Sequence, residues 1–389
     1  MKGTLKASLR SLITYSNKRL ILLCLLVSTY GCLLVYSASY SAGRGLSGAI
    51  VQIGASALGL LIAIVLSQID YENLCSLWPI WAGIALLLML LTYTPLGLNV
   101  AGTDDTAWLA ISIGSFQLTF QPSELMKIVF IITFSVHLTR VQERIHEFRT
   151  LLLLCLHAMV PIGLVFLQGD DGTALVFIMI FLTMLFVSGV HLVYYLLGLA
   201  GVCAAVPLIW NYVLDDSKRA RFLCILPPYI EKYLGTIGWQ QYEGLKAIGS
   251  GQLTGLGYLK GGNGFSFARN NDLIFTVAGE EFGFIGALLL LVLLGLLWFE
   301  LLRCAKRSQD TLGTYLCVGM LALVGSQSII NLGMNLRLLP VIGITLPFFS
   351  AGGSSVATLY LGIGLVLSVS FSQRPARHGG RMPTSLYRA

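Results

Sequence analysis

Residues 282–299 read FGFIGALLLLVLLGLLWF, a run of 18 residues without one charged side chain. A hydrocarbon core about 30 Å thick is crossed by about 20 apolar residues at about 1.5 Å per residue, so this run predicts a membrane-spanning helix. Similar runs recur along the 389 residues. Charged residues make up 11% of the chain, against about 25% in soluble domains, and the mean hydropathy is +0.80. The composition excludes a water-soluble fold.

The apolar runs predict an all-α, polytopic integral membrane protein of about ten transmembrane helices, spanning residues 20–372. The predicted spans are residues 20–37, 48–69, 74–97, 122–139, 150–167, 172–188, 190–210, 276–302, 312–335 and 350–372. A long extracytoplasmic loop, residues 211–275, separates helices 7 and 8. Almost no polar sequence divides helices 6 and 7 near residues 188–191, which leaves nine or eleven spans as alternatives.

The distribution of basic residues predicts the orientation of this bundle. Lys and Arg are frequent in both termini and in the short loops of one side, whereas the short loops of the other side carry only Arg44 and Arg337. By the positive-inside rule, residues 1–19 form a cytoplasmic segment and residues 373–389 form a cytoplasmic tail. The loop between helices 7 and 8 is exempt because long loops cross the membrane largely regardless of charge.

Cysteines and net charge each exclude a class of partner. Most of the eight cysteines lie singly in apolar runs without metal-ligand spacing, so we interpret them as small apolar residues. The net charge of +7 comes without a basic domain or a basic stripe with interleaved aromatic residues. We therefore expect no nucleic-acid partner.

Ionisable residues gather at the outer ends of the predicted helices. They are Asp104, Asp105, Glu124, Lys127, Asp170, Asp171, Asp272, Glu280, Glu281 and Arg337. At membrane depth each costs at least about 2.5 kcal/mol on insertion scales, so such residues pair, line wet cavities or serve function.

The stretch from Gln121 to Lys127 contains one of these candidates for an ion pair. Pro122 and Glu124 are ordinary helix-start signals, which is the alternative to a functional role for Glu124. Lys127 lies three residues further on the same helix face, where a cation opposes the helix dipole. We therefore expect Lys127 to pair with Glu124 inside a polar cavity.

Three further motifs are open to structural and functional interpretations. Asp170 and Asp171 are typical of a turn and helix N-cap, and that structural interpretation is favoured for either one. Glycines at residues 249–264 lack the nucleotide-binding pattern and either let backbone approach a phosphate or form re-entrant turns. Asp272 is a lone carboxylate amid apolar neighbours at the mouth of helix 8. Desolvation would raise its pKa and suit it to accept a proton, whereas the alternative is a simple helix start.

Taken in order, these motifs resemble the SEDS family (shape, elongation, division and sporulation) of RodA, FtsW and SpoVE. The five matching segments are residues 120–127, Gln168 with residues 170–174, residues 247–251, residues 272–275 with 279–283, and residues 339–343 together with 346–348 and 352–355. Each motif alone is weak, but five in the right order on a ten-helix frame are a strong signal.

The resemblance implies a peptidoglycan glycosyltransferase that polymerises lipid II at the outer face of the bacterial cytoplasmic membrane. It implies that Asp272 deprotonates the acceptor sugar hydroxyl. Lys127 and Arg337, aided by Arg269 or Lys246, would hold the pyrophosphate. Supporting positions carried by the motifs are Trp108, Gln121, Ser123, Glu124, Asp170, Glu280, Glu281 and Ser354.

The same resemblance implies partners and leaves a metal open. The expected partners are a class B penicillin-binding protein that crosslinks the strands, and other elongation or division proteins. A divalent cation, Mg²⁺ or Mn²⁺, with the pyrophosphate is the one cofactor considered, and the sequence has no signal for it.

Some residues depart from the family pattern. The loop before Trp108 is acidic where the family commonly has a basic residue, Gly169 replaces a proline, Trp239 replaces a tyrosine, and Ala351 replaces a frequent tyrosine. These departures weaken any assignment to elongation, division or sporulation. The alternatives to an enzyme are a transporter that flips lipid-linked precursors and a non-catalytic scaffold of the elongation or division machinery. The concentration of polar residues on one membrane face disfavours the transporter.

Overall fold

The structure, a computed structural model, describes residues 17–98, 106–113, 116–262 and 269–372. Asp104 and Asp105 lie outside these ranges, as do most of the predicted N-terminal segment and the predicted C-terminal tail. The described chain is mostly helical and has few strand residues, which confirms the predicted all-α membrane architecture.

Helices occupy all ten predicted spans, and four further helices lie between them. Their bounds are α1 Lys18–Ser41, α2 Ser47–Leu66, α3 Tyr71–Ser76, α4 Trp78–Leu91, α5 Pro122–Arg140, α6 Phe148–Leu167, α7 Asp171–Val187, α8 Leu192–Leu208, α9 Asp216–Leu223, α10 Ile230–Tyr233, α11 Trp239–Ser250, α12 Ile274–Arg307, α13 Thr311–Asn335 and α14 Gly353–Ser372. A π-helical turn, Ile209–Val213, extends α8, and 3₁₀ turns lie at Gln142–Arg144 and Pro227–Tyr229.

Eight of these helices in the described chain are long and apolar enough to cross a membrane. The apolar helices α4 and α7 are shorter, with 14 and 17 residues. Helix 3 was predicted over residues 74–97, but the helix is interrupted at Leu77 between α3 and α4. Pro79 lies near the start of α4, which suits proline because the N–H it lacks has no intrahelical partner there. The count of ten spans stays a prediction.

A small antiparallel sheet, β1 Gly97–Leu98, β2 Trp108–Ile113 and β3 Phe116–Phe120, precedes α5. Leu98 pairs with Trp108, and Leu109 pairs with Phe120. The sequence predicts only a loop between residues 97 and 122, so these strands are a difference from the prediction. The alternation of Leu109, Ile111 and Ile113 with smaller or more polar residues is the period of two that indicates a strand.

The membrane bundle has a buried centre and an exposed periphery. Helices α5, α13 and α14 are the most deeply buried of the spanning helices, and α12 packs between α1 and α13. Helix α14 also packs along α2. None of the residues in α8 is buried, so this helix presents apolar side chains on all sides, as expected for contact with lipid. All eight cysteines are free, which agrees with their interpretation as apolar residues.

The predicted loop 211–275 contains three short helices in its described part. These are α9, α10 and α11, and α11 packs on α12 and α13. This packing brings the loop to the end of the bundle where α5, α7 and α12 begin and α13 ends.

Candidate functional site

Asp272 lies on a backbone segment whose carbonyl groups are all engaged by α13 and by the segment before α14. The Asp272 carbonyl accepts hydrogen bonds from Nδ2 of Asn331 (2.8 Å) and of Asn335 (2.9 Å). The Asn271 carbonyl accepts from Ser350 Oγ at 2.6 Å, and the carbonyl of Asn270 accepts from the Ala351 amide at 2.7 Å. Because both asparagines are fully buried, this support is rigid.

Asp272 is partly exposed as a residue, although the next residues, Leu273 and Ile274, are buried. Burial among apolar neighbours raises its pKa from 3.8 to about 6, and the negative charge of Asp170 adds to this rise. No residue of the described chain donates a hydrogen bond to this carboxylate. A fixed carboxyl with a pKa close to neutral is suited to accept a proton at physiological pH.

Asp170 is an N-cap, as its sequence context predicted, and it also faces the site. Its Oδ1 accepts from the Thr173 amide at 2.8 Å, and its Oδ2 accepts from Gln121 Nε2 at 3.0 Å. Burial raises the pKa of Asp170, while the Thr173 hydrogen bonds and the charge of Lys127 partly offset that rise. Both oxygens of Asp170 are therefore occupied, in contrast to those of Asp272.

Lys127 and Glu124 form the predicted ion pair. Lys127 Nζ is 2.8 Å from Glu124 Oε1, and the exposed fractions of the two side chains are 1% and 7%. Both charges act on Asp170, and Asp170 acts on Asp272. We call these four residues, Glu124, Lys127, Asp170 and Asp272, the polar cluster. It joins the start of α5, the start of α7 and the segment before α12.

Glu280 and Glu281 have separate partners, as expected for neighbours about 100° apart on a helix. Glu280 forms an ion pair with the buried Arg269 and accepts from the Gly262 amide at 3.1 Å. Glu281 accepts from Ser37 Oγ of α1 at 2.5 and 2.6 Å and from the Leu259 amide at 3.2 Å. Neither caps α12, and both tie the preceding loop to the bundle.

The glycine-rich loop packs against the first turns of α12. A Cβ at Gly251 would lie 1.9 Å from the Gly279 carbonyl oxygen, so only glycine fits there. Gly283 interrupts α12 with φ 64° and ψ −160°, and the amides of Phe284 and Ile285 instead donate to the carbonyls of Gln252 and Leu253. Of the two interpretations left open by the sequence, this contact supports turns that pack on the helix.

The remaining candidate residues lie in several different elements. Lys246 pairs with Glu243 at 2.9 Å on the surface of α11, and Arg337 donates from Nη2 to the Cys224 carbonyl at 2.8 Å. Trp108 lies in β2, and Ser354 lies partly exposed in the first turn of α14. Ser123 is fully buried beside Glu124, and its hydroxyl has no partner in the described part of the chain.

Sequence reasoning missed Asn331, Asn335, Ser350 and Lys218. The two asparagines could have been predicted from the sequence, because polar side chains four residues apart on one face of an apolar helix are expected to form hydrogen bonds inside the bundle. Lys218 forms an ion pair with Asp171, with Nζ 2.7 Å from Oδ2. The described residues contain no group of three His, Cys, Asp or Glu side chains that could hold a metal ion. The divalent cation stays a prediction.

The fold and this site define a class of protein: a polytopic membrane protein whose buried charged residues gather at one end of a helix bundle. The model of a family described as cell cycle protein, comprising FtsW, RodA and SpoVE, matches residues 17–375. The chain therefore belongs to this family, which confirms the resemblance carried by its motifs.

Similar proteins cover almost the whole chain. Stage V sporulation protein E of Bacillus subtilis is 31% identical over 371 residues, which are 90% of this chain and 96% of that protein. Peptidoglycan glycosyltransferase MrdB of Escherichia coli is 34% identical over 358 residues, covering 90% and 91% of the two chains.

Solved structures share the same fold. A chain in a structure on the coordination of polymerization and crosslinking by a peptidoglycan synthase complex matches with a TM-score of 0.77 and 28% identity, covering 92% of this chain and 99% of that one. The crystal structure of Thermus thermophilus RodA matches with a TM-score of 0.68 and 28% identity, covering 93% and 99%.

Proposed function

We propose that this chain is a peptidoglycan glycosyltransferase that polymerises lipid II, with Asp272 as the general base. The observation that carries the proposal is the setting of Asp272: the residue is partly exposed, its backbone carbonyl accepts from Asn331 and Asn335, and the pKa of its side chain is raised to about 6. The reaction class is supported by membership in a family whose relatives include peptidoglycan glycosyltransferases.

The chemistry needs one base. In lipid II the donor sugar is α-linked to pyrophosphate and the product is β-linked, so a single displacement with inversion suffices and no carboxylate nucleophile is required. Asp272 takes the proton of the acceptor 4-hydroxyl while that oxygen attacks the anomeric carbon of the donor. The bond from that carbon to the pyrophosphate oxygen breaks, and undecaprenyl pyrophosphate leaves.

Asp272 is better suited to this role than Asp170. Both Asp170 oxygens accept hydrogen bonds, from Thr173 and Gln121, whereas Asp272 is held through its backbone carbonyl. A base whose oxygens are unoccupied can receive the substrate hydroxyl without first losing a protein contact. Asp170 contributes its negative charge, which raises the pKa of Asp272.

Localisation and partners belong to the same proposal. The positive-inside rule places both termini in the cytoplasm and the Asp272 end at the outer face of the bacterial cytoplasmic membrane. Lipid II would meet Asp272 on that face. A class B penicillin-binding protein is the proposed partner, supported by the similarity to a chain of a solved complex described as a peptidoglycan synthase that coordinates polymerization and crosslinking.

The test is product analysis with purified wild-type protein in liposomes containing lipid II, with and without a class B penicillin-binding protein. We expect glycan chains longer than a disaccharide unit and release of undecaprenyl pyrophosphate. Movement of labelled lipid II across the liposome membrane without polymer would favour the transporter. Absence of both products in the presence of the partner would favour the scaffold.

A further inference from the structure

Lys218 joins the loop after α8 to the mouth of the polar cluster. Its Nζ lies 2.7 Å from Oδ2 of Asp171, which directly follows Asp170 in the chain. The exposed fractions of the two side chains are 37% and 39%. The pair is therefore open to solvent, although it adjoins a group of buried charges.

The backbone that carries Lys218 is anchored at both ends. Asp215 Oδ1 accepts from the Lys218 amide at 2.7 Å, and Arg219 donates from Nε to the Trp210 carbonyl at 2.9 Å. At the other end of α9, Arg337 Nη2 donates to the Cys224 carbonyl at 2.8 Å. Helix α9 thus holds a fixed position while the Lys218 side chain, four methylenes long, can change partners.

The four cations expected to hold the pyrophosphate are already engaged. Lys127 and Arg269 are neutralised in buried ion pairs with Glu124 and Glu280. Removing either partner from such a pair would leave an unpaired buried charge, so neither lysine nor arginine exchanges its carboxylate readily.

Lys246 also forms an exposed ion pair, but with Glu243 of its own helix α11 and not with a residue next to Asp170, and Arg337 donates to the Cys224 carbonyl. An exposed pair such as Lys218–Asp171 contributes little to stability, so an incoming anion can displace the Asp171 carboxylate.

The position of Lys218 relative to the expected membrane boundary also fits the pyrophosphate of a lipid-linked substrate. The candidate spanning segment that includes α8 ends at Tyr212, and Lys218 follows it by six residues, so we expect Lys218 to lie near the membrane boundary. A lipid whose tail lies in the hydrocarbon core carries its phosphates at that boundary.

We propose that Lys218 binds the pyrophosphate of the lipid-linked substrate, exchanging the Asp171 carboxylate for phosphate oxygens. This inference rests on the proposed function. Charge-assisted hydrogen bonds to phosphate are stronger than those between neutral groups, so the exchange favours the substrate. When no substrate is bound, the Asp171 carboxylate occupies the position of the phosphate oxygens and keeps Lys218 directed toward the site.

The test compares two variants that break the same ion pair, Lys218→Gln and Asp171→Asn. If Lys218 binds substrate, Lys218→Gln raises KM for lipid II about tenfold with kcat changed less than about twofold, because the contact is made before and during the reaction. Asp171→Asn removes the competitor, so it lowers KM or leaves it unchanged. A merely structural pair would make both variants raise KM or lose activity alike.

Lys232→Gln is the matched control. It makes the same charge change in the same loop, at an exposed lysine whose Nζ lies 5.1 Å from the centre of the Tyr233 ring. We expect its KM to equal that of the wild type. Rates are measured per folded protein, as the monodisperse fraction after size exclusion, in liposomes of phosphatidylcholine alone and with phosphatidylglycerol.

Several results would overturn the assignment. These are equal KM values for Lys218→Gln and Lys232→Gln, parallel losses for Lys218→Gln and Asp171→Asn, or a KM effect that needs phosphatidylglycerol, which would assign Lys218 to anionic lipid headgroups. Each of these leaves a polymerising wild type and so spares the proposed function. A wild type that makes no polymer removes both.

Discussion

At the scale of single residues, the site depends on the contrast between two aspartates. Asp170 is held through its carboxylate, by Thr173 and Gln121, and Asp272 through its backbone carbonyl, by Asn331 and Asn335. The first arrangement fixes a negative charge, and the second leaves a carboxylate open to substrate. Desolvation and the charge of Asp170 together raise the pKa of Asp272 to about 6.

The raised pKa predicts the pH dependence of the reaction. Asp272 accepts a proton only when ionised, so polymerisation should fall as pH drops through about 6. Asp170→Asn can retain the cap on α7 but removes the charge, so the acidic limb should move to lower pH. The measurement is the initial rate of polymerisation between pH 4.5 and 8, in roughly half-unit steps. An acidic limb that does not move would show that Asp170 has no electrostatic effect on the base.

The individual residues of the polar cluster were largely predictable, but their partners were less so. The spacing of Glu124 and Lys127 predicted their ion pair, and the apolar neighbours of Asp272 predicted the rise in its pKa. The partners Arg269 of Glu280 and Ser37 of Glu281 were not predicted. They come from segments 11 and 244 residues away in sequence, and tertiary packing alone brings them together.

At the scale of elements, two glycines at the C-terminal end of α11 have different surroundings. A Cβ at Gly251 would clash with the Gly279 carbonyl oxygen at 1.9 Å, whereas a Cβ at Gly249, two residues earlier, meets nothing within 4 Å. The contact holds the loop against the interrupted start of α12, close in sequence to Asp272.

The two glycines therefore give a matched prediction. Gly251→Ala should lower the free energy of unfolding by about 1–3 kcal/mol, because the backbone must shift to admit the methyl group. Gly249→Ala should leave it unchanged or raise it by up to about 1 kcal/mol, because alanine favours helix. The thermal unfolding midpoint in detergent measures both. Equal midpoints for the two variants would show that the loop contact contributes little.

The element boundaries were predicted less well than the existence of the elements. The helices fall at the ten predicted positions. The three-stranded sheet before α5, the helix interruption at Leu77 and the helices in the long loop were missed. The interruption at Gly283 was also missed, because a glycine inside an apolar run looks the same whether the helix continues or bends. Only the neighbouring loop, which supplies carbonyls to Phe284 and Ile285, makes the interruption stable.

At the scale of the whole molecule, the polar residues are not confined to one end of the bundle. At the end opposite Asp272, Glu300 accepts from Asn17 Nδ2 at 2.9 Å. His137 and His157 contact each other at 3.0 Å between α5 and α6. The sequence argument against a transporter was therefore stronger than the structure warrants, and the product analysis proposed above is what separates transporter from polymerase.

Several parts of the bundle hold the backbone of the segment that carries Asp272. Helix α13 supplies Asn331 and Asn335, the segment before α14 supplies Ser350, and α7 begins at the acidic pair 170–171. Three parts of the chain thus converge on the segment before α12. Under the predicted orientation, that segment faces the side to which lipid-linked sugars are exported.

The most direct test of the central claim is the initial rate of lipid II polymerisation by Asp272→Asn at pH 7, in liposomes and per folded protein. The control is Asp216→Asn, which makes the same change at a fully exposed acid of α9 on the same face. Loss of a general base should lower the rate of Asp272→Asn about 10²–10⁴-fold, while Asp216→Asn keeps the wild-type rate. An Asp272→Asn variant that polymerises as fast as Asp216→Asn would contradict the account.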